Sequence, residues 1–180
     1  LVIALTLVSC KEQKPKVETA ADESIVYFCS EITPENILKL YQALDADLQG
    51  KVALKVHFGE EGNQNFLNPD LLKPLVAEVN PTFVETNVLY VSKRRFTDSH
   101  IALAKEHGFD FAPIDILDAD GETEIPCEGL KHYNKVKTGS HFDNYDSYII
   151  YSHFKGHGSA GFGGAIKNVS MGLASPGGKM

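Results

Sequence analysis

The sequence has no tryptophan, only three cysteines and fewer basic than acidic side chains. Lys and Arg number 17 against 24 Asp and Glu, which gives a formal net charge of −7 at pH 7. Proteins that bind nucleic acids carry basic faces that replace counterions, so this balance argues against a nucleic-acid partner. The Phe and Tyr residues are spread along the chain and do not cluster with basic residues.

The cysteines, Cys10, Cys29 and Cys127, contain no C-x-x-C pair and match no zinc or redox motif. Cys29 lies in the apolar run 25–30 and is expected to be a small core residue. A disulfide between Cys29 and Cys127 stays open, because sequence alone does not test its geometry.

The first ten residues, LVIALTLVSC, form an uncharged apolar run that ends in Cys10. The run is too short to span a bilayer and has the length of a signal-peptide core. Its last four residues resemble the lipobox of bacterial lipoproteins, in which the cysteine is lipidated and becomes the mature N-terminus. Residues 11–24 are charged, lack aromatics and predict a disordered tether. The alternative is that residues 1–10 are a buried strand.

We therefore expect a lipid anchor at Cys10 and an extracytoplasmic, membrane-anchored protein, on the periplasmic side or at the cell surface. No initiator Met or basic segment precedes Leu1, and a predicted helix stands just before Met180. Both ends of the chain are therefore expected to be cut, and the domain at 25–180 to continue beyond its last residue.

From Ile25 onward, short β-rich runs alternate with helical stretches, which predicts a single α/β domain over 25–180. Its sheet should be mostly parallel and flanked by helices. The strands are expected at 25–30, 51–58, 82–87 and 146–152. The segment around 112–138 interrupts the alternation and predicts a small antiparallel insertion.

Four helices are expected, three between these strands and one after the last of them. Thr33 and Pro34 have the residue types of an N-cap and a first helical position, and Gly50 should end that helix. The others are expected from Asn68–Pro69 to Val79, from Thr97 to His107, and over about 163–173.

Polar residues follow three of the predicted strands, at the edge where α/β proteins bind ligands. They include His57 after one strand, Glu85 and Asn87 at the end of another, and the loop 152–167 after the last. If the strands are parallel, these groups gather on one rim. This convergence predicts a functional site.

The loop 152–167, SHFKGHGSAGFGGAIK, is the richest part of that rim. Its glycines should let backbone N–H groups approach a ligand, and a helix N-terminus that favours anions follows. Lys155 and Lys167 add positive charge. We expect an anionic ligand here, with ligand-binding residues Asn87, Lys167, Gly156, Gly158, Gly161, Gly163 and Gly164.

The stretch 156–161 matches the G-x-G-x-x-G pattern of dinucleotide-binding proteins. That fingerprint normally follows the first strand of its unit and has an acidic residue about 20 positions later, where this chain has already ended. The phosphate-binding P-loop also fails, because Gly-Lys-Ser/Thr is absent. A nucleotide site is therefore not expected.

His153 and His157 stand four residues apart in the same loop. In a loop they can converge on a divalent metal, with His57 or Glu85 as a further ligand. The alternative is that they are ordinary loop histidines facing solvent or hydrogen-bonded locally.

The runs KVALKVHFGEEGN, TNVLY, AKEHGF and, above all, SHFKGHGSAGFGGAIKNVSMGLAS resemble the bacterial and archaeal family called domain of unknown function 362. The resemblance covers about Lys51 to Lys179. It implies a redox partner or a following ferredoxin-like segment whose cysteines hold [4Fe–4S] clusters. Where the family often has a cysteine, this sequence has Leu173, so a cluster is expected only if a segment beyond Met180 supplies the cysteines.

Two functions remain open. The first is a lipid-anchored module that binds a small anion, a metal or both at 152–167. The second is an enzyme that acts on a small carboxylate or phosphate compound, with His153, Lys155 and His157 as acid–base or metal-ligand groups. A third possibility is a surface protein whose loop packs against a partner domain.

Overall fold

The computed structural model describes residues 25–129 and 131–180. The predicted signal peptide, the tether and Cys10 lie outside the described residues. No helix among the described residues is long and apolar enough to cross a membrane.

Eight strands and four α-helices make up the described fold. The strands are β1 Val52–Lys55, β2 Thr82–Glu85, β3 Ile114–Ile116, β4 Glu122–Pro126, β5 Lys135–Gly139, β6 Ser147–Ile150, β7 Lys155–His157 and β8 Gly161–Gly163. The helices are α1 Pro34–Ala43, α2 Lys73–Val79, α3 Thr97–Glu106 and α4 Ala165–Gly172. Short 3-10 turns lie at Pro69–Leu72, Lys93–Arg95, Phe142–Asn144 and Pro176–Gly178.

The central sheet has the order β3-β2-β1-β6. Every neighbouring pair in it is parallel, with Lys55 of β1 opposite Val84 of β2 and Ile150 of β6. The strand residues are almost continuously buried, as expected for a parallel sheet covered on both faces. The predicted α/β class is confirmed, and the carboxyl ends of the strands meet at one edge.

Two apolar cores cover the two faces of this sheet. One joins the β1 residues Val52 and Leu54 to α1, α2 and α3 through Ile37, Leu75 and Ala104. The other lies beneath α4 and joins Ala53, Val84, Ile150, Tyr148 and Leu173. Alternate residues of β1 therefore enter opposite cores, which follows from the two-residue period of a strand.

The predicted helix starts are confirmed. The Thr33 side chain accepts a hydrogen bond from the Asn36 N–H at 3.2 Å, and Pro34 opens α1. The Asn68 side chain similarly accepts from the Asp70 N–H at 3.0 Å, ahead of the turn that leads into α2. The predicted α3 and α4 are also present.

The predicted strand at 25–30 is wrong. Residues 25–30 form no strand, and Ile25, Val26 and Phe28 are about 70% exposed. The apolar run satisfies the composition of a strand, but it pairs with no edge of the sheet. Cys29 consequently does not lie in the core, and both Cys29 and Cys127 are free thiols.

Two other boundaries differ from the sequence prediction. Helix α1 ends at Ala43, well before Gly50, because Asp45 adopts a left-handed conformation with φ of 46°. Within 112–138, the hairpin of β4 and β5 is antiparallel as predicted. Ile114–Ile116, in contrast, pairs in parallel with β2 and belongs to the central sheet.

Candidate binding cavity

A cluster of buried ions lies at the carboxyl edge of the sheet; we call Lys55, Glu85, Arg94 and Glu60 the buried ion cluster. The Lys55 ammonium is fully buried and lies 2.8 Å from Glu85 Oε1. It also donates to Asn168 Oδ1 of α4 at 2.7 Å and to the Val56 carbonyl. Lys55 thus ties β1, β2 and α4 together.

Arg94 joins the two carboxylates of the cluster. One guanidinium nitrogen, Nη2, lies 2.6 Å from Glu85 Oε2, and Nη1 pairs with Glu60 Oε1. Burial alone would raise the pKa of Glu85, but Arg94 and Lys55 outweigh it and hold the pKa well below its usual range. Glu60 also accepts from Ser92 and Tyr90, so both carboxylates are already engaged.

His57 presents a fixed tautomer. Its Nδ1 accepts a hydrogen bond from the Gly59 N–H at 2.8 Å, so the neutral ring carries its proton on Nε2. Burial lowers the pKa of His57 to about 4, with Arg94 and Lys55 acting in the same direction. The Nε2–H lies 3.5 Å from Arg94 Nη1, which is also a donor, and has no acceptor among the described residues.

His157, in the hairpin of β7 and β8, has the same tautomer as His57. Its Nδ1 accepts from the N–H groups of Ser159 and Ala160, at 3.3 and 3.1 Å. Partial burial, then the ammonium groups of Lys167 and Lys155, lower the pKa of His157. The ring is therefore neutral at pH 7 and, like that of His57, carries its proton on Nε2.

These groups line a cavity of about 550 Å³ at the carboxyl edge of the sheet. Its polar side includes the donors His57, His157, Lys155 and Lys167, which we call the donor wall. The described residues give neither Lys155 nor Lys167 a carboxylate partner within 4.0 Å. We call its apolar lining residues the apolar side; they are Val56, Phe66, Leu67, Val88, Leu89, Phe109, Tyr151 and Met171.

The structure brings most of the predicted site residues to this cavity. His57, Glu85, His153, Lys155, His157, Lys167, Gly163 and Gly164 all line it. The other glycines of the prediction, Gly156, Gly158 and Gly161, are not in its lining and face open space. The loop therefore forms a β-hairpin that contributes both side chains and the glycines Gly163 and Gly164 to the cavity lining.

Asn87 has a different position from the one predicted. It is buried, and its amide donates to Thr97 Oγ1 at 3.2 Å while its Oδ1 lies 3.4 Å from His100 Nδ1. Its side chain is thus committed to holding α3 against β2. Only its backbone carbonyl, which accepts from Lys179, contacts a cavity residue.

The proposed metal ligands His57, His153, His157 and Glu85 do not form a metal site in this arrangement. No group of three or more His, Cys, Asp or Glu side chains suited to a metal occurs within 25–129 and 131–180. Metal binding through Nε2 would need a proton on Nδ1, but in both His57 and His157 that atom already accepts backbone N–H groups. Both oxygens of Glu85 are paired with cations.

Sequence reasoning missed Lys55, Arg94, Asn168 and Lys179. A signal for Lys55 existed, because a lysine in the middle of a buried parallel strand needs a partner. Arg94 and Lys179 follow irregular segments, so no periodicity marks them. Gly172 also has a role that only packing reveals, since a Cβ there would lie 2.4 Å from Lys55 Nζ.

Comparison with known proteins identifies the family of this chain. The family model of the domain of unknown function DUF362 matches residues 52–180, so the chain belongs to that family. No curated protein and no solved structure matches the chain. The match covers the whole of the cavity lining, from Val56 to Lys179.

We predict that Glu85→Gln lowers the free energy of unfolding at pH 7 by about 3–5 kcal/mol, because it leaves two buried cations without their shared carboxylate. Urea denaturation of the purified domain measures this change. Glu124→Gln is the matched control, since Glu124 forms an exposed pair with Lys135 and its loss should cost less than about 1 kcal/mol.

The pH dependence follows from the lowered pKa of Glu85. The contribution of Glu85 to the free energy of unfolding is complete above the pKa of about 4.3 that a glutamate has in the unfolded state. It is lost as the pH falls through the lower pKa that Glu85 has in the folded state. The difference between wild type and Glu85→Gln should therefore persist from pH 8 to pH 5 and shrink only in stronger acid. Equal losses for Glu85→Gln and Glu124→Gln would contradict this role.

Proposed function

We propose that this DUF362 domain binds a small organic anion in the cavity at the carboxyl edge of its sheet. The acid group of the ligand contacts the donor wall, and its carbon skeleton lies against the apolar side. The observation that carries the proposal is the one-sided chemistry of the donor wall. His57 and His157 offer Nε2–H groups, and Lys155 and Lys167 offer ammonium groups.

The acceptors near the donor wall do not compensate for it. Glu60 and Glu85, the carboxylates of the lining, are already paired with Arg94, Lys55, Ser92 and Tyr90. Donors without acceptors in a partly enclosed space favour an anion, which satisfies several of them at once. His57 keeps this property from pH 5 to pH 8, because burial lowers its pKa to about 4 and its ring stays neutral over that range.

The size and lining of the cavity narrow the ligand further. A volume of about 550 Å³ lies within the range of small-molecule sites and exceeds the need of a single inorganic ion. Phe66, Leu67 and Phe109 offer apolar contact that sulfate or phosphate would not use. We therefore expect an acid with an apolar body, such as an aryl or alkyl carboxylate or phosphate.

We predict that the domain binds acids of increasing apolar size, acetate, hexanoate, benzoate and phenyl phosphate, with affinity that rises with the apolar body. Isothermal titration calorimetry measures each dissociation constant. Lys167→Ala should weaken benzoate binding about tenfold or more, since a hydrogen bond to a charged group contributes about 1.5–3 kcal/mol. Raised salt should weaken binding as well.

Lys39→Ala is the matched control for this experiment. Lys39 is an exposed lysine of α1 that is not in the cavity lining, so its removal changes the net charge equally. The affinity of the Lys39→Ala variant for benzoate should equal that of the wild type. The proposal is wrong if no acid in the series binds, or if Lys39→Ala and Lys167→Ala weaken binding to the same extent.

The proposal includes the location of the domain. Cys10 serves as a lipid anchor, which holds the cavity outside the cytoplasm on the tether 11–24. The support for this comes from the sequence: an uncharged apolar run of signal-peptide length, the LVSC motif and a charged stretch after it.

We predict that the protein, expressed in bacteria from a gene that supplies a complete leader, incorporates an alkyne fatty acid. Cys10→Ala should abolish the label, and Cys29→Ala should retain it. The label is read by click chemistry and in-gel fluorescence of the membrane fraction. Label retained in Cys10→Ala, or absent from wild type, would contradict the anchor.

A further inference from the structure

Lys179 is fixed in the cavity lining by a tight turn. The Ser175 hydroxyl donates to Glu122 of β4 at 2.8 Å, and the Lys179 N–H bonds the Ser175 carbonyl at 3.1 Å. Gly178 lies so close to β5 that a Cβ would come within 2.3 Å of the Lys137 carbonyl oxygen. The antiparallel hairpin thus positions the backbone that carries Lys179.

The ammonium group of Lys179 has unusual partners for a half-buried cation. It donates to Thr86 Oγ1 at 2.8 Å and to the Asn87 carbonyl, both of which are neutral. Among the described residues no carboxylate lies within 4.0 Å of it, whereas Lys55 has Glu85 at 2.8 Å. The two acceptors need only two N–H groups. A neutral amine, which has two N–H groups and a lone pair, therefore fits the site and loses no salt bridge.

The electrostatic surroundings favour that neutral form. Burial lowers the pKa of Lys179 to about 8, and the neighbouring cations Lys55 and Arg94 lower it as well. Glu85 and Asp118 act in the opposite direction but do not cancel the effect. With a pKa of about 8, about a tenth of the amine is unprotonated at pH 7 and about half at pH 8, and its lone pair can then attack an electrophile.

We propose that Lys179 forms an imine with a carbonyl compound that also carries an acid group, such as an aldehyde acid or a 2-oxo acid. This inference rests on the proposed function, because the donor wall holds the acid group while the carbonyl carbon meets Lys179. Lys55 does not take this role, since its three hydrogen bonds go to Glu85, Asn168 and the Val56 carbonyl.

The step balances without an added oxidant or reductant. The neutral Nζ forms a bond to the carbonyl carbon, and an Nζ proton passes to the carbonyl oxygen to give a carbinolamine. Loss of that hydroxyl with the remaining Nζ proton releases one water and leaves a C=N bond. Hydrolysis reverses both steps.

The probe for this reaction is 4-carboxybenzaldehyde, which joins a carboxylate, an aromatic body and an aldehyde. Sodium cyanoborohydride reduces the imine to a stable amine, and peptide mass spectrometry locates it. At pH 8 Lys179 should be labelled roughly a hundredfold faster than the exposed Lys39, because its pKa of about 8 leaves about half of its amine neutral and the donor wall holds the probe beside it. The labelling rate should rise with pH to a midpoint near 8.

Variants of Lys179 and Lys167, together with a second aldehyde, test which groups the reaction needs. Lys179→Arg and Lys179→Met should both lose this label, and their far-UV circular dichroism should match that of the wild type, which shows that both variants are folded. Lys167→Ala should slow labelling by 4-carboxybenzaldehyde about tenfold. Benzaldehyde, which lacks the acid group, should label Lys179 of the wild type at least tenfold more slowly than 4-carboxybenzaldehyde does.

The outcomes separate this inference from the proposed function. If 4-carboxybenzaldehyde displaces benzoate but labels Lys179 no faster than Lys39, imine formation is refuted and anion binding stands. If benzaldehyde labels Lys179 equally fast and Lys167→Ala has no effect, the requirement for an acid group is refuted. If neither benzoate nor 4-carboxybenzaldehyde binds, both proposals fail.

Discussion

The fully buried ion pair between Lys55 and Glu85 is the interaction on which the rest of the structure depends. Two ions removed from water are tolerated only when each finds a charged partner and further hydrogen bonds. Here Glu85 receives Lys55 on one oxygen and Arg94 on the other, while Lys55 also bonds to Asn168 of α4. The pair therefore fixes the spacing of β1, β2 and α4 at the edge where the cavity opens.

The same cluster determines what the cavity can bind. Lys55 and Arg94 each pair with one oxygen of Glu85, and Arg94 also pairs with Glu60. The carboxylates on the polar side of the cavity are therefore already neutralised by cations. Burial, aided by Arg94 and Lys55, keeps His57 neutral at pH 7, and the Gly59 N–H fixes its tautomer. The carboxylates of the lining are thus paired with cations, while the described residues give the lysines of the donor wall no carboxylate within 4.0 Å, which a count of charges along the chain would not reveal.

The sequence predicts the helices and strands around the cavity better than it predicts the hydrogen bonds and ion pairs within it. Local signals are strong at Thr33–Pro34 and Asn68–Pro69, where caps and prolines fix helix starts, and in the apolar strands of the parallel sheet. The parallel topology then brings the polar residues after three strands to one edge, as expected. Residues 25–30 are predicted as a strand and form none, because apolar composition does not tell whether a neighbouring strand is available for pairing.

The residues that the sequence could not identify are those placed by tertiary contact. Lys179 reaches the cavity only because the turn before it packs against the β4–β5 hairpin. The histidines were identifiable, but their role was not. Hydrogen bonds from loop N–H groups to Nδ1 make them donors rather than metal ligands, and those bonds depend on the local backbone path.

The most direct test of the donor wall is the proton position on its two histidines. Long-range ¹H–¹⁵N NMR spectra of the side chains of His57 and His157, recorded at pH 7 with and without saturating benzoate, report both tautomer and ligand contact. We expect neutral rings protonated on Nε2, with a change in the Nε2 resonances when benzoate binds. Rings protonated on Nδ1, or Nε2 resonances unchanged by bound benzoate, would contradict it.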